Sequence, residues 1–251
     1  SLTDSNPSIS SDNYKIISNI KVVDNLIHNE IALLVIVKKG FLSLRQYVLI
    51  GPCSRGLYYP VKVHSLRVND IPVRNVLTGQ CATIILEPVV DDNYDVNVLD
   101  DVSSMISLRR SPVGLVVIAN INNADNDEID HESNIPKYHY NDLIVPSSAW
   151  EFDVRLVIVN HPGKVKLNYA PVIHVDNIHQ SAKLIDISSP IYSKANPEIM
   201  NPIELSNGDR AICRFKFLYR PEFLHIGSPL VVRDGRIRAI GHIINIYSAS
   251  S

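Results

Sequence analysis

Apolar and polar positions alternate with a period of two along much of this chain. Residues 210–219 show it most plainly. Ala211, Cys213, Phe215, Phe217 and Tyr219 fall on one side, with Arg210, Arg214 and Lys216 on the other. That period marks a half-buried strand, because successive strand side chains point to opposite faces. Pro229 to Ile246 reads as a hairpin with Arg233-Asp234-Gly235-Arg236 at its tip. Asp-Gly between apolar runs favours a type I′ turn, whose two central residues take positive φ. Such a tip holds Arg233, Arg236 and Arg238 at one end of a rigid ribbon. No stretch carries a helical period over three turns. The remaining apolar segments are short, rich in Val and Ile, and broken by Gly, Pro, Asn and Asp. This predicts an all-β chain, sandwich or barrel. Strands are expected at 15–23, 31–38, 46–50, 60–68, 80–87, 114–121, 152–160, 170–176, 180–187, 210–219, 229–233 and 237–246.

Two stretches break the rhythm, 88–107 and the Asn/Asp-rich 122–142. The second cannot bury enough apolar surface to offset chain entropy. The expected organisation is therefore a disordered linker at 1–14, a first block at 15–121 with an acidic insertion at about 88–107, an acidic insertion or linker at 122–142, and a second block at 143–248. Each block has a size common for one closed barrel. Charge sharpens this picture. The net charge is −2, yet residues 91–101 and 122–135 each hold five acids and no Lys or Arg. Outside those spans the chain is basic, which fits a polyanionic partner and also fits plain solubility.

Candidate chemistry is sparse. Cys53, Cys81 and Cys213 are widely spaced with no CxxC, and read as three reduced core thiols of a cytosolic protein. The longest apolar run, Ile31 to Val37, is far short of the ~20 residues that span a bilayer. The start, SLTDSNPSISS, lacks the basic and apolar regions of a secretory signal. The nine His form no ligand quartet with Cys or carboxylates; His174 and His179 stand five apart, their relative aim left open by the loop between them. No GxSxG elbow occurs. Asp91-Asp92 and Asp100-Asp101 read as solvated charge. Neither GxxxxGK[ST] nor Asn-Lys-x-Asp is present, so the chain is expected neither to bind nor to hydrolyse GTP. The basic cluster of Lys164, Lys166, Arg233, Arg236 and Arg238 is the one functional candidate.

Six segments, in order, carry a family resemblance. They are KGFLSLRQYVLIGP (39–52), VKVHSLRVNDIPVRNVLTGQCATI (61–84), LRRSPVGLVVI (108–118), Asn160-His161-Pro162, the pair Tyr169–His174 and Gln180-Ser181-Ala182, and the closing hairpin through Arg236, Ala239 and Gly241. Together they resemble the second and third domains of translational GTPases of the elongation factor Tu class, in the GTP-binding protein 1 and 2 branch. Ser111-Pro112 stands where that pattern expects Gly.

The resemblance implies two consecutive closed six-stranded β-barrels, domain 2-like and domain 3-like. It implies the non-catalytic C-terminal region of a larger GTPase, with residues 1–14 as the cut linker. GTP and Mg would then belong only to the missing nucleotide domain, with no cofactor in this region. The implied partners are aminoacyl-tRNA, the ribosome and that nucleotide domain, in a monomeric cytoplasmic protein without membrane contact. In this class the third domain grips the tRNA T-stem backbone. By position, His179, Gln180 and Ser181 match one set of contacts and Arg236, Arg238 and Gly241 the other, with Gly241 admitting a close phosphate–ribose backbone. Lys and Arg would neutralise phosphates while hydroxyls and amides fix register. The aminoacyl end would lie beside Ser65, Arg67, Gly79 and Gln80. Ser65 stands where elongation factors often carry Glu, and Gly79-Gln80 also reads as a turn with a backbone hydrogen bond. A rival reading is a protein–protein recruitment module, for example for RNA-decay factors. Another is the equivalent region of an initiation-factor gamma subunit or a selenocysteine-specific factor.

Overall fold

The computed structural model describes residues 14–25, 31–89, 116–120, 129–130, 135–136, 145–192, 204–234 and 237–248. Every element there is a strand. The first group comprises β1 (Tyr14–Asn25), β2 (Ile31–Val37), β3 (Phe41–Ser43), β4 (Tyr47–Gly51), β5 (Tyr59–Val68), β6 (Ile71–Pro72), β7 (Asn75–Leu77), β8 (Cys81–Pro88) and β9 (Val116–Asn120). A small ribbon of β10 (Ile129–Asp130) and β11 (Ile135–Pro136) follows. The second group comprises β12 (Ala149–Asn160), β13 (Val165–Lys166), β14 (Val172–Val175), β15 (Ile178–Tyr192), β16 (Glu204–Leu205), β17 (Arg210–Phe217), β18 (Pro229–Asp234) and β19 (Ile237–Ser248). The expected linker at 1–13, most of the two acidic spans, Asp91-Asp92, Asp100-Asp101 and the tip residues 235 and 236 lie outside the described residues.

Alternation builds two cores. In β2 and β8, Leu33, Val35, Val37, Ala82, Ile84 and Leu86 turn inward at every second position. The first sheet runs β4-β9-β1-β2-β8-β5-β6 and curls until β4 also pairs β5, with Tyr47 opposite Lys62 and Ile50 opposite Tyr59. Its ring thus closes through one short ladder, and β6 hangs from β5 as a seventh strand. The second sheet is a closed barrel in the order β12-β17-β15-β14-β18-β19. Its centre is aromatic: the Phe152 ring lies 4.9 Å from Phe217 and 6.1 Å from Phe215. The expected all-β architecture is therefore present, with one closed six-strand barrel, the second, and a first sheet that curls into a partly closed one.

Three details depart from the sequence reading. Asp234 pairs with Ile237 and Arg233 with Arg238, so Asp234 ends a strand instead of occupying the centre of a turn. The positive-φ pair expected there occurs at Asn69 (50°) and Asp70 (63°), between Val68 and Ile71. Cys81 is exposed, so only Cys53 and Cys213 are core thiols; burial pushes the Cys213 thiol up to about 12. No helix among the described residues is long and apolar enough to cross a membrane.

The barrels touch through a short loop. Ser148 Oγ donates to the Gly56 carbonyl at 3.0 Å, and Tyr58 meets Phe223 edge-on with centroids 6.4 Å apart. Gly56 has φ +85°, and a Cβ there would stand 2.4 Å from Ser148 Oγ and 2.9 Å from Pro221 Cγ. Only glycine admits that approach at that backbone angle.

Candidate functional site

Strand register arranges the outer face of the second barrel in rows. Ser181 lies opposite Val172, Val172 opposite Arg233, Arg233 opposite Arg238, and Arg238 opposite Asn160. The next row runs His179, His174, Val231, Ile240, Val157 and Arg210. A third runs Pro229, His242, Arg155 and Ile212. Residues between these positions are buried, apart from the exposed Val159 and the half-buried Gly241, so the rows face outward. Arg233, Arg238, His179 and Ser181, expected from the sequence, are brought together with His174, which the sequence left undirected. A two-residue link, Asp176-Asn177, between Val175 and Ile178 fixes both imidazoles on the same face, with ring centroids 4.4 Å apart.

Arg155, Arg210, Arg233 and Arg238 have no ion-pair partner among the described residues. Other cations are occupied. Arg214 donates to Asp153 Oδ1 at 2.8 Å and its guanidinium lies 4.2 Å from the Tyr247 ring centre. Burial raises the Asp153 carboxyl, but hydrogen bonds from Arg214 and Tyr247 outweigh it and hold the group below the usual carboxylate range. Lys216 pairs with Glu151 at 2.9 Å. Lys164 and Lys166 both pair with Glu204, which β16 presents opposite Lys166 across the β13–β16 ladder. The Lys164 hydrogen bond holds the Glu204 carboxyl low. These two lysines thus share one carboxylate, which offsets one of their two charges. Beside them Tyr169 donates to Asp234 Oδ2 at 3.3 Å, and burial together with that carboxylate raises the phenol.

Two expected contact residues are engaged within the protein. Gln180 is buried and its amide is fully engaged. Its Oε1 accepts from Tyr219 N–H (3.0 Å) and Arg220 N–H (2.9 Å), and its Nε2 donates to the Arg220 carbonyl (3.1 Å) and Glu222 Oε1 (2.9 Å). Gly241 closes on protein backbone: a Cβ there would lie 2.5 Å from the Arg155 carbonyl oxygen and 2.7 Å from Val154 Cγ1. Arg236 lies outside the described residues. On the first barrel, Ser65 is half-buried at a bulge opposite Ile85, and Arg67 is exposed. Gly79 sits at φ +87°, and Gln80 Oε1 accepts from Leu77 N–H at 2.7 Å, so both serve the turn.

Between the rows runs an open groove of about 810 Å³, lined by Arg155, Arg210, Pro229, Val231, Ile240 and His242 among others. Its floor is apolar and its margin cationic. Ile240 is 50% exposed, a large apolar side chain left in water. Sequence reasoning missed this groove because it depends on which strands neighbour β19.

No family model matches the chain. GTP-binding protein 1 of Xenopus laevis is 24% identical over 215 residues, 85% of this chain and 25% of the relative. GTP-binding protein 2 of Homo sapiens is 22% identical over 204 residues, again 25% of the relative. Elongation factor 1-alpha of Aeropyrum pernix is 38% identical over 72 residues, 28% of this chain. The chain thus spans about a quarter of the length of the GTP-binding proteins it matches. Among solved structures, sup35 complexed with GDP superposes with a TM-score of 0.62 at 13% identity, over 93% of this chain and 48% of that one. Matched in sequence over most of its length and in fold over nearly all of it, the chain is similar to GTP-binding proteins 1 and 2 and, over a shorter stretch, to elongation factor 1-alpha, and it shares the fold of the matching half of the sup35 chain.

Proposed function

We propose that this chain is the non-catalytic two-barrel region of a GTP-binding protein 1-like translational GTPase. Its second barrel would hold the acceptor/T arm of an aminoacyl-tRNA by the phosphate backbone, and the region would dock on the ribosome and on a nucleotide domain of the same protein. The observation that carries the reading is the row of Ser181, Arg233 and Arg238. Two exposed guanidinium groups lie directly opposite each other with no ion-pair partner among the described residues, and a hydroxyl stands in line with them. Opposed like charges destabilise a bare sheet, and a bridging phosphate relieves that cost. A-form RNA, read by shape and backbone, suits such a face. The aminoacyl end is assigned to the first barrel beside Ser65 and Arg67. GTP, Mg and hydrolysis belong to the nucleotide domain of the parent protein, a cytoplasmic monomer. That domain is the natural cover for the apolar groove, since exposed apolar surface marks interaction sites. The groove also favours a second reading, in which it takes a recruited protein. Hydroxyl-radical footprinting that finds the Ile240 side chain shielded in the parent protein without partners assigns the groove to the nucleotide domain; shielding that appears only with an added factor assigns it to recruitment.

Fluorescence anisotropy with tRNA tests the main reading. Replacing Arg233 and Arg238 together with Ala should weaken binding about tenfold and reduce the slope of log affinity against log salt by about two, one counterion per lost phosphate contact. Unchanged affinity at low salt ends the RNA role of this face. Glu204→Gln should act in the opposite direction. It releases Lys164 and Lys166 from their carboxylate, and tRNA affinity should rise about twofold with a steeper salt slope. A flat response would place the 164–166 turn outside the RNA footprint.

A further inference from the structure

Two imidazoles packed at a tilt across strands beside a guanidinium form a cluster that the RNA reading alone does not require. His174 and His179 face each other on β14 and β15, their ring centroids 4.4 Å apart and their planes inclined by 58°. Arg233 lies on β18 opposite Val172, two residues from His174 and on the same face. The remaining charged groups near the pair are few. Asp176 follows in the connecting link and accepts a hydrogen bond from Ser228 Oγ at 3.3 Å. On the far side of His179 the 218–222 segment brings Arg220, which is paired to Glu222 at 2.8 Å. Across β18, the next outward neighbours of His174 are the uncharged Val231 and Ile240.

Such a cluster resists protonation when empty. Burial, then His179, then Arg233 hold the His174 imidazole below its ordinary range, because a proton there meets lost solvation and repulsion from the neighbouring imidazole and guanidinium. An anion reverses each electrostatic objection. A phosphate between the rings and Arg233 accepts hydrogen bonds from protonated imidazole nitrogens and screens the like charges from one another. Proton uptake and phosphate capture are then linked, and each strengthens the other by the same factor.

We infer that His174, His179 and Arg233 form a proton-gated clasp for one phosphate of the bound RNA backbone. The clasp rests on the RNA reading above and adds His174 and a regulatory ligand, the proton, to it. At neutral pH His174, held low by burial and its neighbours, stays largely uncharged, and Arg233 and Arg238 carry the contact. On mild acidification with a phosphate in place, His174 takes up a proton and becomes a further phosphate ligand beside His179.

The test compares the wild-type chain with His174→Asn/His179→Asn, using tRNA and, as a second probe, inorganic polyphosphate. Lowering pH from about 7.5 to about 5.5 should tighten binding about tenfold in the wild type. The double variant should lose the gain, its affinity changing by less than about twofold between the two pH values whatever its absolute level. Titration calorimetry in buffers of different ionisation enthalpy should show net proton uptake by the wild type that the variant lacks. Binding with the same pH response in both proteins overturns the clasp and leaves the RNA reading standing. Failure of both probes to bind at either pH overturns both. Unfolding curves of the variant at each pH separate loss of fold from loss of the proton effect.

Discussion

Gln180→Ala is expected to cost the second barrel about 3 kcal/mol while leaving the tRNA affinity of the folded protein within about twofold. Position alone made this residue a candidate RNA contact, yet its side chain works as a buried staple. One amide satisfies two backbone N–H groups, one backbone carbonyl and one carboxylate of the 219–222 segment. Truncation leaves these groups short of partners at a place where Glu222 is 0% exposed. A buried polar group without a partner loses about 1–3 kcal/mol, and opening of the segment to water recovers part of the sum. The consequence extends beyond one barrel. Glu222 exchanges backbone hydrogen bonds with Ala149 at the start of β12, and the same segment delivers Pro221 and Phe223 to Gly56 and Tyr58 of the first barrel. Denaturant unfolding should show the loss, and hydrogen exchange at Tyr219 and Arg220 should rise first. Gln180→Glu is the sharper variant, since it retains the acceptor but sets an oxygen against Glu222 Oε1 where an N–H now donates. Unchanged stability with lost tRNA binding in either variant would return Gln180 to the RNA face.

Gln180 also shows how much of the molecule was legible in the sequence. The Gln-Ser-Ala match marked three neighbouring residues as one functional group. Strand parity divides them: Gln180 shares the inward parity of Ala182 and Leu184, whereas His179 and Ser181 face out. The same alternation located β17 and its inward Ala211, Cys213, Phe215 and Phe217. It failed at Tyr219, which is 71% exposed, because the strand stops at Phe217 and the following turn is held by Gln180. The three-residue strands β3 and β7 were not read at all, being too short to show a period against the turns around them. What no local pattern could reveal is neighbourhood. That Glu204 takes both Lys164 and Lys166, or that Val157, Ile240 and Val231 line up beneath Arg155 and Arg210, follows from pairings between strands far apart in sequence. Family resemblance supplied the barrels and the closing hairpin; the rows on their surface required the register.

Gly241→Ala is expected to destabilise the second barrel by about 3 kcal/mol, and Gly241→Val by more, with no loss of tRNA affinity in the fraction that remains folded. Gly241 has the inward parity of Ala239 and Ile243, and it pairs with Leu156 on β12. The added methyl would meet the Arg155 carbonyl oxygen at 2.5 Å and Val154 Cγ1 at 2.7 Å. A flexible side chain could swing aside, but the carbonyl belongs to a strand bonded on both edges, to β17 and to β19. Relief therefore means pushing β12 away from β19 at the seam that closes the ring, a displacement a packed interior does not absorb cheaply. Arg155 and Val157 would move with it, so the groove should deform along with the barrel. The alternative assignment, a glycine kept bare so that a ribose–phosphate chain can approach, predicts the reverse: an unchanged unfolding midpoint and a weakened tRNA complex. Urea unfolding and tRNA anisotropy on the same Gly241→Ala preparation separate the two. The first outcome makes this end of the hairpin a device for closing the ring, which sets Arg238 and Ile240 in their rows without itself touching RNA.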